Sequence, residues 1–155
     1  MRAILKKAAL LIAMMSCALL AAAATALFTL DELVQRSRYV FVADVTDVAQ
    51  PKWKDEQGSD VMLALATVTR ALKGDVGNRV MIAYKANVDD QPQMQRGDRY
   101  LVFSVGAAAP LLHGHQVRAL PIQGQEVSTF LIKGEPDKQS LPSIEERIAR
   151  LVHGR

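Results

Sequence analysis

The only cysteine of this 155-residue chain, Cys17, lies in an apolar run from Ala8 to about Ala24. Everything after that run must therefore fold with no disulfide and no thiolate-bound metal. Arg2, Lys6 and Lys7 precede the run, and Ala24-Thr25-Ala26 closes it. A basic head, a short apolar body and small residues at the minus-three and minus-one positions are what signal peptidase reads. They predict a secretory signal peptide over residues 1–26 and a mature chain from Leu27, periplasmic or secreted. Met14-Met15-Ser16-Cys17 makes a poor lipobox. Met stands where Leu is favoured, and Ala18-Leu19-Leu20-Ala21 follows where a polar tether belongs, so Cys17 reads as part of the signal body and not as a lipid anchor. Once the peptide is cleaved, no stable membrane span is expected.

Three of the 19 Lys and Arg residues, and none of the 16 Asp and Glu residues, fall before Leu27. The positive surplus therefore leaves with the signal peptide, and the usual inference from a basic chain to nucleic acid or an anionic membrane loses its support. No nucleic-acid partner is expected. Residues 27–155 suit one domain, long enough to hide roughly two-thirds of the surface its unfolded chain exposes. No internal repeat is visible, and the polar stretches 50–60, 87–97 and 134–142 read as connections.

Thr29 followed by Glu32 has capping-box spacing, and Leu30, Leu33 and Val34 form the apolar stripe of a short helix ending near Ser37. From Tyr39 to about Val48 the run YVFVADVTDV is dense in β-branched and aromatic residues and predicts a long strand. Val61 to Leu72 is apolar enough for a buried helix or a strand. The Lys73-Gly74-Asp75 turn and the run Arg79 to Tyr84 favour a strand, paired as a β-hairpin. Arg99 to Val105 predicts another strand, with shorter ones at Gln116 to Leu120 and Glu126 to Ile132. Pro142-Ser143, with Glu146 at the capping-box position, announces a final helix whose stripe is Ile144, Ile148, Leu151 and Val152. The expected fold is mainly β: a small antiparallel barrel of five to six strands with short N- and C-terminal helices.

The order of three segments carries a resemblance: Ser37-Arg38-Tyr39-Val40-Phe41-Val42-Ala43-Asp44-Val45, then Ala71-Leu72-Lys73-Gly74, then Arg96-Gly97-Asp98-Arg99-Tyr100-Leu101-Val102-Phe103. It resembles the OB-like barrel of the netrin-like and tissue-inhibitor-of-metalloproteinase superfamily, including its cysteine-free bacterial secreted relatives. The resemblance spans residues 37 to 132 and implies a rigid barrel that presents loops to a partner. The animal inhibitors of that superfamily chelate a target's zinc through a mature N-terminal cysteine. Here the expected N-terminus is Leu27-Phe28-Thr29, so the inhibitory site does not carry over.

Candidate chemistry is sparse. His113-Gly114-His115 sets two imidazoles two residues apart; on a strand they share a face and can hold Zn²⁺, Cu²⁺ or Ni²⁺, whereas in a Gly-centred turn both rings are solvated. His153, Asp89 and Asp90 are further ligands by residue type only. The carboxylate pairs Asp44 with Asp47 and Asp89 with Asp90 alternate faces on a strand and read as solvated charges. Ser104, in Val102-Phe103-Ser104-Val105-Gly106, lacks the first glycine of a nucleophile elbow. No Gly-rich loop ending in Lys-Ser or Lys-Thr is present. Trp53 sits between Lys52 and Lys54 in a polar loop, as a lid over the barrel mouth or as an exposed anchor for a partner.

The sequence thus predicts an exported, non-catalytic binding or inhibitory module without a cofactor, acting on an envelope or extracellular protein through Trp53. The competing expectations are a metal-binding envelope protein centred on His113 and His115, and an envelope enzyme whose polar groups converge in the barrel mouth.

Overall fold

The computed structural model describes residues 27–50, 54–88, 91–106 and 108–154. The expected signal peptide with Cys17, the Trp53 side chain and the pair Asp89 and Asp90 lie outside these residues. Helix α1 (Leu30–Arg36) leads into β1 (Tyr39–Ala49), β2 (Val61–Lys73), β3 (Arg79–Lys85) and β4 (Arg99–Ser104). Then come β5 (Leu111–His113), a 3-10 turn over Gly114–Gln116, β6 (Val117–Gln123), β7 (Glu126–Ser128), β8 (Lys138–Ser140) and helix α2 (Leu141–His153).

The strands form one eight-stranded mixed sheet in the order β5-β3-β2-β1-β4-β6-β7-β8. Every neighbouring pair is antiparallel except β3 with β5. The expected barrel of five to six antiparallel strands is corrected in two respects: there are eight strands, and the ladder does not close into a ring. The two additional strands are three-residue segments. Leu111–His113 joins the sheet through parallel pairing, and Lys138–Ser140 adds a polar edge beside β7. The 3-10 turn interrupts the extended run 111–123, so its first part pairs with β3 and its last part with β4.

β4 beyond Arg99 and the first seven residues of β1 are buried on both faces, with Asp44 half-buried, which explains why β1 opens as a nearly unbroken apolar run. Tyr39, Phe41, Ala43 and Val45 of β1 face one core, shared with Ala64, Ala66, Val80, Ile82, Tyr84, Tyr100, Val102 and Leu112. The alternate residues Val40 and Val42 face a second core, shared with Leu101, Phe103, Leu120, Ile122 and both helices. Leu30, Leu33 and Val34 of α1 and Ile144 and Ile148 of α2 supply the helical side of that second core.

The capping box of α1 forms as its spacing predicts: the Glu32 amide donates to the Thr29 hydroxyl and the Thr29 amide to the Glu32 carboxylate. At the other end of α1 the Lys73 ammonium donates to the Val34 carbonyl at 2.5 Å, tying the helix terminus to β2. The start of α2 differs from the sequence expectation. Ser140 is the N-cap, its hydroxyl accepting from the Ser143 amide, and Pro142 lies inside the first turn, where no amide is missed. Arg147 on α2 grips Glu135 with two nitrogens at 2.8 and 2.6 Å, fixing the turn before β8. Gly74, at φ 73°, closes the β2–β3 turn where a Cβ would sit 2.6 Å from the Arg38 carbonyl oxygen. Among the described residues no helix is long and apolar enough to cross a membrane.

Truncation on either side of β1 is expected to be costly. Phe41→Ala should lose about 3–5 kcal/mol and Ile144→Ala about 2–5 kcal/mol, read as lower urea midpoints with an unchanged slope.

Candidate functional site

The two helices cover only part of the sheet's outer face. Over β2, β3 and β5 that face carries Leu65, Met81 and Leu111, which are 37%, 38% and 37% exposed. The three are aligned by register, Leu65 opposite Met81 and Met81 opposite Leu111, so they form a continuous apolar row across three strands. A parallel row lies beside it, where Leu63 pairs with Ala83 and Ala83 with His113. Inward-facing alternates on the same strands, Ala64, Ala66, Val80, Ile82 and Leu112, fill the first core.

A cleft of about 370 Å³ opens at the end of this face. Its walls are the loop residues Lys54, Asp55 and Glu56, the strand residues Val61 and Ala83, and the corner residues Leu111, His113 and His115. The loop is held in place by Asp55. Its carboxylate lies 2.5 Å from the Lys85 ammonium and accepts from the Ser59 and Gln57 amides at 2.7 and 2.9 Å. The bond from Lys85, followed by the one from the Ser59 amide, holds the Asp55 carboxyl below its ordinary range.

The cleft floor is equally determined. Gln91 accepts from the Lys85 amide at 2.7 Å, and Gly114 lies so close to this pair that a Cβ there would sit 2.7 Å from both the Gln91 Oε1 and the Tyr84 Cβ. A side chain at 114 would push the corner off β3, so the glycine between the two histidines serves close packing. Tyr84 beneath it donates to the Met94 carbonyl at 3.0 Å, and burial raises its phenol above the usual value. Tyr100 donates to Asp98 and to the Gln93 carbonyl, and its phenol is raised by burial and then by the Asp98 charge.

His113 ends β5 and His115 lies in the 3-10 turn, with ring centroids 5.9 Å apart and the planes tilted by 32°. The structure therefore combines the two sequence readings: one imidazole on a strand, the other on a turn, both lining the cleft. Among the described residues no cluster of three or more His, Cys, Asp or Glu side chains is placed to hold a metal ion. His153 is in the last turn of α2, and Asp44 is engaged by Arg99 at 2.6 and 3.2 Å, not by Asp47, whose carboxylate accepts from the Val48 amide. Ser104 is fully buried in β4 opposite Tyr39. Trp53 is outside the described residues, but its chain neighbour Lys54 lines the cleft.

The apolar row was missed by sequence reasoning. Its signal was present in the alternation of β2 and β3, but the partner strand β5 had to be placed before Leu111 joined it. No protein-family model matches the chain, and no curated protein matches it significantly.

Because the Asp55 carboxyl is depressed in the folded state, its hold on the loop is complete above the unfolded value near 3.8 and is lost as pH falls through the lower folded value. Trp53, two residues from Asp55 in sequence, should report this as an acid step in its emission while far-UV circular dichroism stays constant. Asp55→Asn should remove the step.

Proposed function

We propose that the protein is an exported, non-catalytic binding module that engages an envelope or extracellular protein through the outer face of β2, β3 and β5. The observation that carries this reading is the exposed row Leu65, Met81 and Leu111 beside a cleft lined by charged and imidazole groups. An apolar centre with a polar rim is the usual anatomy of a protein interface, and singly scattered surface apolar residues do not align by register. Trp53, the chain neighbour of Lys54, would add an aromatic anchor for that partner.

The fold reading that accompanies it is an OB-like barrel of the netrin-like type. Supporting it, β1 pairs with β2 and β4, β2 with β3, and the single run 111–123 pairs with β3 and then with β4. The strand order does not close, and OB barrels are commonly partly open, so the open order is compatible with this reading. In such barrels the second and third strands and the loop after the first form the binding face, which here would be the Leu65–Met81 region and the Lys54–Glu56 loop.

A photo-crosslinking residue at Met81 should trap a dominant partner in intact cells, and the same residue at Lys138 on the far edge strand should not. Met81→Glu should weaken that capture by about tenfold or more, since it places a charge in the apolar centre. Equal trapping from both positions, or none from Met81, would count against the reading.

A second reading, metal binding by His113 and His115, is favoured by their proximity in the cleft. It predicts calorimetric binding of Zn²⁺ or Cu²⁺ that disappears in the His113→Ala, His115→Ala double variant. No heat from the wild-type chain would dismiss it.

A further inference from the structure

The chain leaves β7 through a β-turn whose tip is apolar. Thr129 to Ile132 form the turn, closed by the Ile132 amide donating to the Thr129 carbonyl at 2.9 Å, and the two tip residues are Phe130 and Leu131. Phe130 is 55% exposed, more than any other large apolar residue described, and Leu131 is 37% exposed. Turn tips ordinarily carry Gly, Pro, Asn, Asp or Ser, each for a backbone reason. Phe and Leu give this turn no such help, and neither belongs to a core.

The residues on either side of the tip are fixed. Thr129 is fully buried; its hydroxyl donates to the Pro136 carbonyl at 2.5 Å and its amide to the Asp137 carbonyl at 2.8 Å. Ile132 is buried in the second core. The tip is therefore held out from an ordered base, and inserting it into an apolar phase costs little further ordering. Beneath it, the Lys133 amide donates to the Phe28 carbonyl at 2.9 Å. Phe28 follows Leu27, which is 43% exposed, and Leu27 follows the apolar run that ends near Ala24. The point where that run joins the fold thus lies beside the base of the turn. Between residues 129 and 138, Glu135 is taken by Arg147, whereas Lys133 and Lys138 are exposed and in no ion pair among the described residues. Asp137 is the one other carboxylate of this stretch, so the rim of the tip is net cationic.

We propose that the Phe130–Leu131 turn, with Leu27 beside it, inserts into the interfacial layer of a bilayer containing anionic phospholipid and holds the domain at the membrane surface. A convex apolar pair above exposed lysines suits that layer: the two side chains reach the acyl boundary while the lysines meet the headgroup phosphates. The chain itself supplies the route. The apolar run from Ala8 to about Ala24 is of a length that enters a bilayer during export, and it joins the fold beside this turn. The attachment is to one leaflet and is not a span, and it depends on local arrangement where the net charge of the chain gives no support. It uses none of Leu65, Met81 or Leu111, which lie towards the β5 end of the strand order, whereas the turn follows β7.

The test is flotation of the chain from Leu27 onward, which contains both cores, with vesicles of phosphatidylcholine alone or mixed with phosphatidylglycerol. It needs no assumption about export. The protein should float with the mixed vesicles, more weakly with phosphatidylcholine alone, and less at high salt. The Phe130→Ser, Leu131→Ser double variant should bind about tenfold more weakly or less, and Lys133→Glu about fivefold more weakly or less. Their urea midpoints should match that of the wild type, because all three residues are exposed. Arg79→Glu, the same charge change at an exposed position of β3, should keep its binding. A photo-crosslinking residue at Leu131 should give phospholipid adducts in intact cells. No flotation, flotation that the double variant retains, an equal loss in Arg79→Glu, or a discrete protein adduct from position 131 would each overturn the proposal.

Discussion

The pairing of β4 with the first half of β1 is the element on which the rest depends, because that part of β1 and nearly all of β4 are buried on both faces. Successive side chains of a strand point to opposite sides, so Phe41 and Val40 enter different cores although they are neighbours in sequence. With no cysteine after residue 26, no disulfide adds to the stability that these two cores supply. One wall common to two cores makes efficient use of a short chain. It also means that neither core can loosen without disturbing the strands that support the other.

The bare region follows from the same arrangement. Helices α1 and α2 are too short to cover the whole outer face: they lie over β1, β4, β6 and the far end of β2, where Lys73 reaches the α1 carbonyls and Arg70 pairs with Glu145 on α2. The other half of β2, with β3 and β5, is left uncovered, and its outward alternates remain apolar. The cleft then arises at the corner where the chain turns from β5 to β6, since the 3-10 turn removes three residues from the ladder.

Much of this was legible in the residues. Thr29 with Glu32 marked α1, the YVFVADVTDV run marked β1, and the turn at Gly74 resolved the ambiguity of Val61 to Leu72 in favour of a strand. Other parts depend on long-range pairing that no local pattern encodes. Leu111–His113 is three residues long and becomes a strand only because β3 lies alongside it, so the fate of His113 was open until the parallel pairing was known. Lys138–Ser140 is polar throughout and is held by β7. Ser140 caps α2, yet Ser143 offers the same chemistry three residues later with Pro142 beside it, and local pattern does not separate the two. Of the site, the histidines and the charged loop were visible by residue type. The apolar row was not, because Leu63 and Leu65 look like core residues until the coverage of their face is known.

Native-state hydrogen exchange in rising urea tests the shared wall most directly, by comparing slow amides of β2 and β3 with those of β6 and the interior of α2. If β1 and β4 couple the two cores, all four groups should converge on one opening free energy equal to that of global unfolding. If the β6 and α2 amides instead open together at a clearly lower free energy while β2 and β3 stay protected, the two cores are independent and the account is wrong.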